Sequence, residues 1–123
     1  MKTYKDIYKF PLRQWSYGSW VSDSVGNFVF QFEPRFTKGD YAEGWQELES
    51  KALDAINGRG FFDKEVYHEQ GEIFVKGDSE AIITIRGWGN LTGTGGHNLK
   101  AEEAANIQDT FAEFIVEQLN KRA

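Results

Sequence analysis

The spacing of hydrophobic residues changes character several times along this chain. Asn27-Phe28-Val29-Phe30-Gln31-Phe32-Glu33 alternates strictly, which predicts a strand with Phe28, Phe30 and Phe32 on one face. Trp15, Tyr17 and Trp20 lie in β-prone sequence before it, and Asp23 to Asn27 supplies turn residues between. Together they read as a hairpin with an aromatic face. Pro34 ends that pattern, and Asp40, three residues before Glu43, resembles a capping box. The period then becomes helical. Trp45, Leu48, Ala52, Leu53 and Ile56 form one stripe, Glu43, Glu47, Glu49, Lys51 and Asp54 take the other faces, and Asn57-Gly58 supplies a stop.

Residues 65–87 return to extended patterning. Glu65 to Gln70 and Glu72 to Lys76 flank a tight-turn candidate at Gln70-Gly71, and Gly77-Asp78-Ser79 is a second turn. Ala81-Ile82-Ile83-Thr84-Ile85 is too apolar for a half-solvated strand, so it belongs in the sheet centre. A last helix is expected from about Lys100 to Asn120, with Ala104, Ile107, Phe111, Phe114, Ile115 and Leu119 as its stripe. Glu102 and Glu103 near its start, and Lys121 and Arg122 near its end, suit the helix dipole. Strands and helices segregate, so the fold class is α+β. The expected architecture is an antiparallel sheet, a hairpin plus a meander, with two amphipathic helices packed on one face in the order ββ-α-βββ-α. The helices should meet through Trp45, Leu48, Leu53 and Ile56 and through Ile107, Phe111, Phe114 and Ile115. No internal repeat or low-complexity linker is visible.

At 123 residues the chain has the size of one domain, 1–123, long enough for a real core. Nineteen aromatic residues, the sum of 4 Trp, 5 Tyr and 10 Phe, should supply much of that core. Cysteine is absent, which excludes a disulfide framework, thiolate metal clusters and thiol catalysis. With no signal peptide in view, that favours the reducing cytosol, and no apolar run reaches the ~20 residues of a membrane span. The net charge of −5 is uneven. Residues 1–13 carry Lys2, Lys5, Lys9 and Arg13 against Asp6, and all the other residues together are acidic. Residues 1–9 read as a surface strand or loose basic arm, and an acidic body argues against strong duplex DNA binding.

The stretch Gly87 to Gly96 holds five glycines and two threonines just ahead of the last helix. That density implies positive φ or close backbone approach, and positive φ is expected at some of Gly89, Gly93, Gly95 and Gly96. Trp88, Asn90, Thr92, Thr94 and His97 are the candidate binding residues, with Trp88 or Asn90 presented at a concavity beside the last helix. The loop is neither a dinucleotide fingerprint, being off by one in spacing, nor a Walker loop, which needs Gly-Lys-Ser/Thr. Glu102 and Glu103 occupy the region that would favour an anion. His68 and His97 show no metal-ligand spacing, and no nucleophile elbow is present. No catalytic residue, metal or cofactor is therefore expected.

The segment IRGWGNLTGTGGHNLKAEEAANIQDTFAEFIVEQLN resembles the C-terminal part of small uncharacterised proteins of tailed bacteriophages and prophages. The hairpin WVSDSVGNFVFQF is similar to a strand–turn–strand pattern in such proteins. The resemblance covers about half the chain and implies a small protein of a bacterial host cytosol, without an assigned activity. The expected function is a non-catalytic module that binds a protein partner; Trp15, Tyr17, Trp20 and Trp88 read as core residues, and would form a protein-binding face only if exposed. The alternatives are a small ligand-binding domain or enzyme using Gly87–Gly96, and an acidic nucleic-acid mimic.

Overall fold

The computed structural model describes residues 1–15, 19–33 and 44–122, so the expectations for Tyr17, Pro34 and Asp40 lie outside the described residues. The elements are α1 (Tyr4–Ile7), β1 (Arg13–Gln14), β2 (Trp20–Ser22), β3 (Phe28–Phe32), α2 (Trp45–Ile56), β4 (Val66–Glu69), β5 (Glu72–Val75), β6 (Ala81–Ile85), α3 (Trp88–Thr92) and α4 (Ala101–Leu119). All strand pairs are antiparallel, in one open sheet of order β1-β2-β3-β6-β5-β4. The α+β architecture is as the patterning implies, extended by a short strand ahead of the hairpin and by the small helices α1 and α3.

One face of the sheet carries the core. Phe30 and Phe32 of β3 pair with Ile85 and Ile83 of β6, and Phe30 lies 6.3 Å from the ring of Phe111 in α4. Ala52, Ile56, Ile107, Phe111 and Ile115 join these strand residues in one buried cluster. Ala52 and Ile56 of one predicted stripe, and Ile107, Phe111 and Ile115 of the other, thus lie buried over this face, as the amphipathic pattern requires. Leu48, Leu53 and Phe114 pack at its margin. Gln118 ties the helices together by donating to the carbonyls of Ala55 and Ile56 at 3.3 Å.

The basic arm is packed rather than loose. Tyr4 stacks on Phe114 at 4.8 Å and Tyr8 meets Phe111 edge-on at 4.9 Å. Both tyrosines are buried, while Lys2, Lys5 and Lys9 stay at the surface. Two apolar rings thus anchor a segment whose charges remain solvated.

A register shift corrects the predicted aromatic face. Val21 opposes Phe30 but Ser22 opposes Phe28, so β3 takes two steps where β2 takes one. The extra residue, Val29, is fully buried, and the bulge turns Phe28 to the opposite side of the sheet. There Phe28 stacks on Trp20 at 5.0 Å instead of joining Phe30 and Phe32.

The same device recurs in the second half. Ile73 opposes Ile83 but Phe74 opposes Ala81, so Ile82 is the extra residue of β6. The central ladder pairs Phe30 with Ile85, Gln31 with Thr84 and Phe32 with Ile83. Exchanging Phe30 with Ile83, Gln31 with Thr84 and Phe32 with Ile85 maps that ladder onto itself. The outer pairs follow suit: Arg13–Ser22 and Gln14–Val21 answer Tyr67–Phe74 and His68–Ile73. The sheet is therefore two three-stranded meanders, each followed by a helix, related by a pseudo-twofold through the Gln31–Thr84 pair. No repeat is visible in the sequence because the paired positions carry different side chains and the turns differ in length.

Each half closes with an asparagine. Asn57, at the C-cap of α2, accepts the N–H of Leu12 at 2.8 Å and donates to its carbonyl at 2.9 Å. Asn120, at the C-cap of α4, accepts the N–H of Val66 at 2.8 Å and donates to its carbonyl at 2.9 Å. Leu12 and Val66 occupy equivalent places beside the first strand of each half. The side-chain amide imitates a peptide group and joins helix end to strand start.

Candidate functional site

The glycine-rich segment is an ordered strap. Gly87 adopts φ 98°, and a Cβ there would overlap the carbonyl oxygen of Phe28, so both its conformation and its neighbour require glycine. The five-residue helix α3 follows at once and buries Leu91. The expected positive φ at Gly89, Gly93, Gly95 or Gly96 is not found; within Gly87–Gly96 only Gly87 has it. Close approach is the reason for two of the others. A Cβ on Gly93 would meet the carbonyl of Gly89, and one on Gly96 would meet that of Asn90.

The structure brings together two of the five candidate binding residues. Asp23, fully buried, accepts from the amides of Lys9, Val25 and Asn27 and from Asn27 Nδ2 at 2.7–3.1 Å. A carboxylate offers only acceptors, so Asn27 must turn its NH₂ group toward it. The other side of Asn27 is then Oδ1, which receives Asn90 Nδ2 and His97 Nε2, each at 2.9 Å. His97 therefore carries a proton on Nε2. Tyr8 lies under this cluster, and burial first, then the charge of Asp23, raises its phenol well above the ordinary range. Asn27 and Asp23 escaped the sequence reading because they sit in a hairpin turn, where such residues are ordinary.

Little of this strap is left for a ligand. The amides of Gly93, Gly96, His97, Asn98 and Leu99 already donate to carbonyls of the strap itself. Thr92 donates its hydroxyl to the carbonyl of Trp88 at 2.9 Å. Thr94 is exposed, and Trp88 is 44 % exposed. A concavity of about 470 Å³ does lie beside α4, with Gln108 in its wall, but Trp88 and Asn90 do not line it. Its walls are Glu33, Glu72, Thr84 and Arg86, with the Gln70–Gly71 turn at one end.

Two of its walls, Glu72 and Thr84, lie on the side of the sheet the helices leave uncovered. Cross-strand pairing puts Trp20, Gln31, Thr84, Glu72 and Glu69 in one row there, and Trp15 extends it through its N–H to the Trp20 carbonyl at 2.9 Å. Trp15 and Trp20 are 48 % and 46 % exposed, with ring centroids 5.8 Å apart. Trp15 Nε1 donates to Ser22 Oγ at 2.9 Å, which fixes the indole over the strand. At the other end Tyr67 stacks on Phe74 at 5.3 Å. Arg86 bonds Gln31 at 3.3 Å and pairs with Glu33 at 3.8 Å in between.

A buried carboxylate departs from the sequence reading. Glu49 is expected on a solvated face of α2 but is fully buried, accepting from Gln14 Nε2 and Ser19 Oγ. Burial raises its pKa more than the two hydrogen bonds lower it. Its position four residues after Trp45 and three before Ala52 is the signal that places it in the apolar stripe.

Comparison with family models, with curated proteins and with solved structures finds no match. Among the described residues, no helix is long and apolar enough to cross a membrane, and no three His, Asp or Glu side chains converge as a metal site would need.

Proposed function

We propose that this chain is a non-catalytic module that binds another protein through the sheet face opposite its helices. The observation that carries this reading is the Trp15–Trp20–Phe28 cluster, two half-exposed indoles and a phenyl ring stacked on the sheet face opposite the helices. Exposed tryptophan is over-represented where binding energy concentrates, because it offers large area at little rotamer cost. Ser22 holds one indole in place, so the patch is preorganised. The likeness to tailed-phage and prophage proteins makes a bacterial host protein, met in the host cytosol, the natural target. A nucleic-acid mimic has less support, since Arg13 and Arg86 share the outer face with Glu33, Glu69 and Glu72.

The test is capture from bacterial lysate on immobilised protein, comparing wild type with Trp15→Ala/Trp20→Ala. The expected result is a captured protein that the double variant loses while its circular dichroism is unchanged. Identical capture by both would overturn the reading.

A further inference from the structure

The pseudo-twofold offers an internal control for what the fold requires. Equivalent positions in the two halves have the same backbone surroundings, so where their side chains differ in kind the fold has not dictated the choice. On the uncovered face the difference is systematic. Trp20 pairs with Gln31 as Glu72 pairs with Thr84. Trp15 stands to Trp20 as Glu69 stands to Glu72. One row across the sheet is thus aromatic at one end, neutral in the middle and acidic at the other.

Among the described residues the acidic end is uncompensated. Among the described residues no ion pair holds Glu69 or Glu72, whereas Arg86 is engaged by Glu33 and Gln31. The two carboxylates face each other across the β4–β5 hairpin, an arrangement that is unfavourable unless a cation joins them. Glu72 also forms a wall of the 470 Å³ concavity.

We infer that the occupant of this face is a cationic polypeptide segment lying across the strands, with an apolar side chain on Trp15 and Trp20 and a lysine or arginine at Glu69 and Glu72. This rests on the protein-binding reading above and adds the partner's chemistry. Three interstrand steps separate Trp20 from Glu72, about 14 Å, which an extended segment spans in about four residues. Charge complementarity selects the cation: a carboxylate-bearing segment would meet repulsion at the acidic end.

Selection from a displayed random dodecapeptide library on the immobilised full chain tests the inference. Enriched peptides should pair an apolar residue with a lysine or arginine about four positions away. A synthetic peptide from that pool should bind at least about tenfold more weakly to Glu69→Gln/Glu72→Gln, and weaken as salt rises. Replacing its basic residue by glutamate should abolish binding. Enrichment without a basic bias, or binding unchanged in the Glu69→Gln/Glu72→Gln protein but lost in Trp20→Ala, would overturn the cationic partner while leaving the docking face intact. Enrichment that ignores Trp20→Ala as well would remove the docking face itself. A dimer by light scattering that Trp20→Ala dissolves would overturn the inference by assigning the face to a second copy.

Discussion

The two halves of this chain share a frame and differ in surface. Both build three antiparallel strands with a bulge on the third, both lay a helix on the same side, and both end in an asparagine bonded to a strand start. What they do not share is the uncovered face: Trp15 and Trp20 against Glu69 and Glu72. Among the described residues, only the second half has a further helix, α3, with its strap between the third strand and the long helix. Features present twice are those the architecture needs, and features present once are available for function.

The largest effect should come from the core that both halves build. Phe111 is fully buried and touches Phe30, Tyr4 and Tyr8. Phe111→Ala should cost about 3–5 kcal/mol in chemical denaturation, a large share of a domain's total stability. An unchanged midpoint would mean that α4 does not hold the two meanders together.

Next come the two asparagines. Asn57→Ala and Asn120→Ala each leave a backbone N–H and C=O without their partners, and each should lose about 1–3 kcal/mol. Equal losses would give the pseudo-twofold energetic content. A loss in one only would mean that the symmetry is geometric and that one half carries the fold.

Gly96→Ala tests a feature of the second half alone. A methyl group there displaces Asn90 and with it the bonds to Asn27, so a loss of about 1–2 kcal/mol is expected by thermal melting. Gly95→Ala, with nothing near its Cβ, should be close to neutral. Equal behaviour of the two would show that the strap relaxes freely.

The smallest effect should be that of Glu49→Gln, and it should depend on pH. The folded pKa of Glu49 is raised by burial, so its contribution to stability is fullest below the ordinary carboxylate range and is lost as pH rises through the raised value. Wild type should therefore lose stability relative to Glu49→Gln as pH rises from the ordinary carboxylate range through the raised folded value. Parallel pH profiles would mean that Gln14 and Ser19 offset the burial fully.

Much of the frame is legible in the amino-acid order because burial writes itself as periodicity. The α4 stripe from Ala104 to Leu119 and the apolar run of β6 follow directly. What escapes is whatever depends on a partner distant in sequence. Phe28 alternates with Phe30 on paper, yet a bulge set by the pairing with β2 sends it to the other face. The glycines signal constraint correctly but not its form, since the carbonyls of Gly89 and Asn90 that crowd Gly93 and Gly96 are placed by α3. Trp15 and Trp20 have the composition of core residues, and only the sheet's uncovered side shows that they are not. His97 and Asn90 stand out as polar residues in a glycine stretch, but the carboxylate that orients them lies in the β2–β3 turn.

The asparagine clasps have a consequence for how this protein behaves at high concentration. β1 and β4 are the outer strands of an open sheet, and such strands offer their outward backbone groups as templates for intermolecular pairing. At Leu12 and Val66 those groups are already taken by Asn57 and Asn120. Each amide belongs to the last turn of a helix, and helix ends fray well below the cost of global unfolding. Fraying at residue 57 or 120 thus uncaps a strand edge while the rest of the sheet stays native. Aggregation of this protein should start from that locally opened state rather than from the unfolded chain, and solubility should track the integrity of two helix termini.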